Sequence, residues 1–78
     1  MTVREFTDHI WYVQPILVIT WQDFDARERE DIEELKKKAL LYGDNCMVLS
    51  SETAKSIMDK KVDSYGVIDN VLIILVHR

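Results

Sequence analysis

Val62-Asp63-Ser64-Tyr65-Gly66-Val67-Ile68, then Asp69-Asn70, then Val71-Leu72-Ile73-Ile74-Leu75-Val76 reads as a β-hairpin. The two central residues are of the types that tolerate positive φ, as a two-residue hairpin turn requires. The second arm is apolar at six successive positions. A strand facing water on one side alternates in polarity, so this arm is expected in the middle of the sheet, covered on both faces. Ile16-Leu17-Val18-Ile19-Thr20-Trp21 has the same character and reads as a second covered strand. It follows Pro15, which lacks an N–H and pushes Gln14 toward an extended conformation.

Helical signals fill the remainder. Thr2-Val3-Arg4-Glu5 has the form of a capping box, with Val3, Phe6 and Ile10 on one helical face, predicting a short helix over 3–10. Asp25-Ala26-Arg27-Glu28 is a second start of this kind, and Ile32, Leu35, Ala39 and Tyr42 form one stripe up to Gly43. The spacing predicts the longest helix over 26–42, ended by Gly43. Leu40 and Leu41 miss the stripe, so at least one is expected to be exposed or covered by a neighbour or a partner. Cys46-Met47-Val48-Leu49 reads as a brief strand, and 51–59 as a short helical turn with Ala54, Ile57 and Met58 inward, the alternative being a strand that runs on through Ser51 to Thr53. The expected fold is a single α+β domain over 1–78, in the order helix, strand, helix, strand, short helix, strand, strand. Its sheet has three or four strands, mainly antiparallel, with helices packed on it.

Composition bounds the chemistry. With 78 residues the chain buries on the order of 60% of its surface, leaving modest stability unless it is stapled or associates. Cys46 is the one cysteine, which excludes an internal disulfide and suits a reducing compartment. Ten basic against fourteen acidic residues, net −4, give no counterion-release drive toward bare nucleic acid. No apolar run approaches the roughly 20 residues of a membrane span, and the start lacks the basic-then-apolar layout of a signal peptide. A cytoplasmic protein with neither a membrane nor a direct nucleic-acid partner is expected.

Catalytic groupings are weak. Cys46 with His9 or His77 as base is the only nucleophile pair to hand, and a lone cysteine opening an apolar segment is ordinarily a small core residue. Ser50-Ser51 lies outside a nucleophile-elbow context, and Gly43 and Gly66 form no phosphate-cradling loop. Asp23, Asp25, Glu28 and Asp31 lack the calcium-loop pattern and are explained by helix capping. The sequence therefore predicts no catalytic residue, no cofactor and no metal.

Binding features are more numerous. Seven of the fourteen carboxylates lie between Asp23 and Glu34. Glu30, Glu33 and Glu34 would project opposite Ile32 and Leu35, about 5–6 Å apart, a spacing comparable to phosphates along a nucleic-acid strand. The plainer account is a solvated face whose acidic first half and Lys36-Lys37-Lys38 second half match the helix dipole. Trp11, Tyr12, Trp21, Phe24 and Tyr65 lack interleaved cations, so base stacking is disfavoured; they are core residues or protein-binding anchors. The expected partner-binding residues are Glu30, Glu33, Glu34, Asp23, Phe24 and Leu41.

Both ends of the chain resemble small proteins of phages and integrated mobile elements of Firmicutes. The matching residues are Met1-Thr2-Val3-Arg4-Glu5-Phe6, Met58-Asp59-Lys60-Lys61-Val62-Asp63-Ser64-Tyr65-Gly66-Val67 and Asn70-Val71-Leu72-Ile73-Ile74, with the acidic helix as an insertion. The resemblance implies a non-enzymatic protein that binds and occludes a host protein in the bacterial cytoplasm. In the sharpest form this is an anti-CRISPR-type inhibitor whose acidic helix occupies the nucleic-acid-binding surface of a nuclease or related complex. The alternative is a structural or assembly protein acting through homo-oligomerisation.

Overall fold

A computed structural model describes residues 1–26 and 31–77. The chain forms α1 (Val3–Thr7), β1 (Ile16–Thr20), α2 (Trp21–Asp25), α3 (Ile32–Lys38), β2 (Leu41–Gly43), two 3-10 helices (Cys46–Ser50 and Thr53–Ser56), β3 (Val62–Ile68) and β4 (Val71–Val76). The strands make one sheet in the order β2-β1-β4-β3. Its outer pairings are antiparallel and its central pairing, β1 with β4, is parallel. The fold is α+β, with the hairpin's second arm in the interior of the sheet as its unbroken apolar run predicts.

Alternation along the two central strands builds two separate cores. Ile16 and Val18 of β1, with Leu72, Ile74 and Val76 of β4, face Val3, Ile57 and Met58. Leu17 and Ile19, with Val71 and Ile73, face Leu35 of α3 and the flanking Phe24 and Ile32. Each strand thus gives every second side chain to a different layer, which is why neither shows polar alternation. Every residue of β1 is buried. Completely burying one such aliphatic side chain contributes about 1.5–3 kcal/mol.

Short helices of this size are held by their ends and their contacts, not by propensity. At α1 the Thr2 hydroxyl accepts from Glu5 N–H at 3.2 Å while the Glu5 carboxylate accepts from Thr2 N–H at 2.9 Å, the reciprocal capping box that the sequence predicts. The Val3 and Arg4 N–H groups donate to the Lys60 and Met58 carbonyls, both at 2.9 Å, so the first turn is pinned to the chain before β3. The helix ends at Thr7, shorter than expected, and Ile10 still packs on the same core.

The segment predicted as one helix over 26–42 divides differently. Thr20 caps α2 by accepting from Asp23 N–H at 3.2 Å, and Asp31 caps α3 by accepting from Glu33 N–H at 3.0 Å. Residues 27–30 of the predicted helix lie outside the described residues. The chain leaves the helical conformation at Ala39, and Leu40 N–H donates to the Val18 carbonyl at 2.7 Å, drawing residues 41–43 alongside β1. Leu40 and Leu41 pack on the core opposite to that of Leu35, which is why they miss the helical stripe. With the β1 edge taken by β2, Cys46–Ser50 forms a 3-10 helix instead of the expected strand, capped by Asn45 accepting from Met47 N–H at 2.9 Å. Ala54, Ile57 and Met58 are inward as predicted.

Two outcomes test this architecture. A methyl at Gly43 would lie 2.5 Å from two carbons of Val48, whereas one at Gly66 meets nothing within 4 Å. Gly43→Ala is expected to cost about 1–3 kcal/mol in urea unfolding and Gly66→Ala to cost nothing; equal effects would contradict the packing. The two Thr2 hydrogen bonds hold the Glu5 carboxyl below the usual carboxylate range. A lowered folded pKa gives stability present above the unfolded value and lost as pH falls through the folded one. Stability curves of the parent and Glu5→Gln should therefore separate at neutral pH and converge in acid.

Candidate functional site

Side chains of the acidic segment are engaged locally. Lys36 Nζ lies 3.3 Å from Glu33 Oε1, and Lys38 Nζ lies 3.8 Å from Glu34 Oε1. Each pair joins the acidic first turn of α3 to its basic last turn, where the dipole favours both. Lys36 also sits 4.6 Å from the centre of the Tyr42 ring, and the ring hydroxyl and Glu33 together raise its pKa. Glu34 is half-buried. Glu33 and Glu34 thus present ion pairs instead of a bare row of carboxylates, and Glu30 lies outside the described residues.

Other expected contact residues are spent on the fold. Leu41 is 5% exposed in the core between β1 and the 3-10 helices, so it offers no surface to a partner. Phe24 is half-buried against Leu17, Ile19 and their neighbours, and Asp23 lies in the first turn of α2. Of the five that lie among the described residues, only Glu33 is exposed.

Four exposed apolar residues lie away from the acidic segment, on the loop before β1 and the first 3-10 helix. Trp11 is 81% exposed, Val13 69%, Tyr12 58% and Met47 65%. A tryptophan buries more area than other side chains when covered, so one this open on a small domain is a candidate for contact with another molecule. The loop carrying it is held firmly. Cys46 N–H donates to the Tyr12 carbonyl at 2.8 Å, Gln14 N–H donates to the Trp11 carbonyl at 3.1 Å, and Gln14 Nε2 donates to the Asn70 carbonyl at 3.0 Å. These bonds join loop 8–15, the turn 44–46 and the hairpin tip 69–70 at one end of the sheet. Those three segments hold Asp8, Asp44 and Asp69, all exposed, and no lysine or arginine. A shallow hollow lined by Ile10, Trp11, Val13, Pro15 and Leu72 lies beside the loop. Trp11, Tyr12 and Val13 are adjacent in the sequence; Met47 is brought to them by the Cys46–Tyr12 hydrogen bond.

Groups able to do chemistry are dispersed. The Cys46 thiol donates to the Trp11 carbonyl at 3.0 Å, and burial pushes its pKa up. Both effects keep the proton on sulfur, the reverse of what a nucleophilic cysteine needs. His9 lies 3.6 Å from Asp8 and His77 3.1 Å from Asp63, each on the surface. Among the described residues, no three His, Cys, Asp or Glu side chains are placed to hold a metal ion. Alkylation of Cys46 by iodoacetamide is expected to run several-fold slower than that of free cysteine, with its pH midpoint shifted upward. A midpoint below the free thiol would overturn this reading.

Comparison with protein-family models, with curated proteins and with solved structures gave no match for this chain.

Proposed function

We propose that the chain is a non-enzymatic protein-binding domain that acts by covering a surface of a host protein. The observation carrying this reading is the aromatic end of the sheet: Trp11, Tyr12 and Val13 project into solvent from a loop tied down by hydrogen bonds, and Met47 is exposed in the 3-10 helix bonded to it through Cys46. A rigid loop loses little conformational freedom on binding, so the area buried by its aromatics is retained as affinity. Asp8, Asp44 and Asp69 around it, without a nearby sequence cation, favour a partner whose apolar hollow has a basic rim. Nucleic-acid-handling proteins carry such rims, which agrees with the resemblance of the chain ends to phage proteins and with an anti-CRISPR-type role in the bacterial cytoplasm. The contact surface in this reading is the aromatic end, since Glu33 and Glu34 are already paired with lysines. Assembly by homo-oligomerisation is the second reading, in which the same exposed Trp11, Tyr12, Val13 and Met47 meet those of a second copy.

The test immobilises the protein, the Trp11→Ala/Tyr12→Ala variant and the Glu33→Lys/Glu34→Lys variant, and exposes each to bacterial lysate. A host protein held by the parent and by the glutamate variant, released by added salt and absent from the aromatic variant, is the expected result. Urea unfolding should show the aromatic variant within about 0.5 kcal/mol of the parent, as befits exposed positions. Retention that ignores Trp11 and Tyr12, or no retention at all, would overturn the reading.

A further inference from the structure

The outer strand β3 is exposed along Asp63–Val67 on both faces of the sheet. Among the described residues, its free edge is covered only at the start, where Thr2 bridges to Lys61 and Val62 N–H donates to the Met1 carbonyl at 2.8 Å. The turn at Asp69 and Asn70, with φ of 49° and 67°, sets Ile68 opposite Val71 as the first ladder pair. In a two-residue hairpin that pair exchanges both hydrogen bonds, and bonded pairs then alternate along the ladder. Ile68, Gly66 and Ser64 therefore bond inward to β4, while the N–H and C=O groups of Tyr65 and Val67 point away from the sheet. From Ser64 to Ile68 the strand has no charge and no proline, the devices that ordinarily keep an edge from pairing.

Each face of the sheet has a hollow beside this edge. On one side Met1, Phe6, Val62 and Tyr65 line a space of about 350 Å³, with the Phe6 and Tyr65 rings 4.8 Å apart. On the other, Phe24, Ile73 and Leu75 line about 240 Å³ above Ser64 and Gly66. The second hollow exists because Ser64 and Gly66 are too small to cover the strand behind them, and nothing lies within 4 Å of a Cβ built at Gly66. Side chains of an added strand alternate between faces and would enter both.

We infer that the free edge of β3 accepts an extended segment of another protein as a fifth strand, with an apolar centre and a lysine or arginine at each end. Asp69 and Asp63, the latter also 3.1 Å from the His77 ring, bracket the uncharged run and favour those cations. The same carboxylates argue against a second copy of this chain. Antiparallel self-pairing centred on Gly66 sets Asp63 against Asp69 twice. Centring on Tyr65 drives the partner's turn into the place held by Met1 and Thr2, and centring on Val67 ends at the turn after one residue on either side. This surface is separate from the aromatic end, and either can fail without the other.

Fluorescence anisotropy with the labelled peptide KVTITVK tests the inference, with EVTITVE as the charge control. The parent should bind the lysine peptide at least tenfold more tightly than the glutamate one. Val67→Pro removes an outward N–H and leaves the bonds to β4, so it should keep the fold and lose at least tenfold in affinity. Gly66→Leu, which fills one hollow without touching a hydrogen bond, should weaken binding as well and serves if the proline variant fails to fold. Equal affinity for the two peptides, no binding of either, or a parent dimer that Val67→Pro converts to monomer would overturn it.

Discussion

The parallel contact between β1 and β4 is the constraint from which the rest of this structure follows. Two neighbouring strands with apolar side chains on both faces need a cover on each side, and the chain supplies two thin ones. α1 and the 3-10 helices close one face, and α2 and α3 the other. Neither cover is long. Each is fixed by caps and by backbone hydrogen bonds to neighbouring segments, such as Val3 to Lys60 and Leu40 to Val18. Among the described residues, only Met1 and Thr2 meet the outer edge of β3, and from Asp63 to Val67 the strand is exposed.

That distribution explains what the sequence showed and what it did not. The unbroken apolar runs at 16–19 and 71–76 have one sensible location, so the interior strands, the hairpin and the α+β class were legible. The Thr2–Glu5 box was legible because its signal is local. The boundary near 39–43 was not, since Leu40, Leu41 and Tyr42 suit a helix or a strand equally, and a tertiary bond to Val18 decides between them. Cys46–Leu49 misled for a related reason: an apolar run of four is a strand only where a sheet edge is free, and β2 had taken the edge of β1.

The candidate surfaces follow the same division between local and tertiary information. The acidic cluster is conspicuous as text, yet lysines one helical turn away pair with Glu33 and Glu34. Leu41 stands out as misplaced on a helical wheel and proves to be core. Trp11 and Tyr12 are visible as aromatics, but only the folded chain brings Met47 beside them through Cys46. The free edge of β3 has no signature in composition. It arises because the hairpin's second arm pairs with β1 and leaves its first arm outermost.

Residue-resolved amide hydrogen exchange tests most directly whether β4 is interior and β3 open. Gly66 and Ile68 should exchange slowly, with Tyr65 and Val67 between them exchanging fast, and Leu72, Ile74 and Val76 should be among the slowest in the molecule. Uniform protection along β3, or fast exchange at Ile74, would contradict the account.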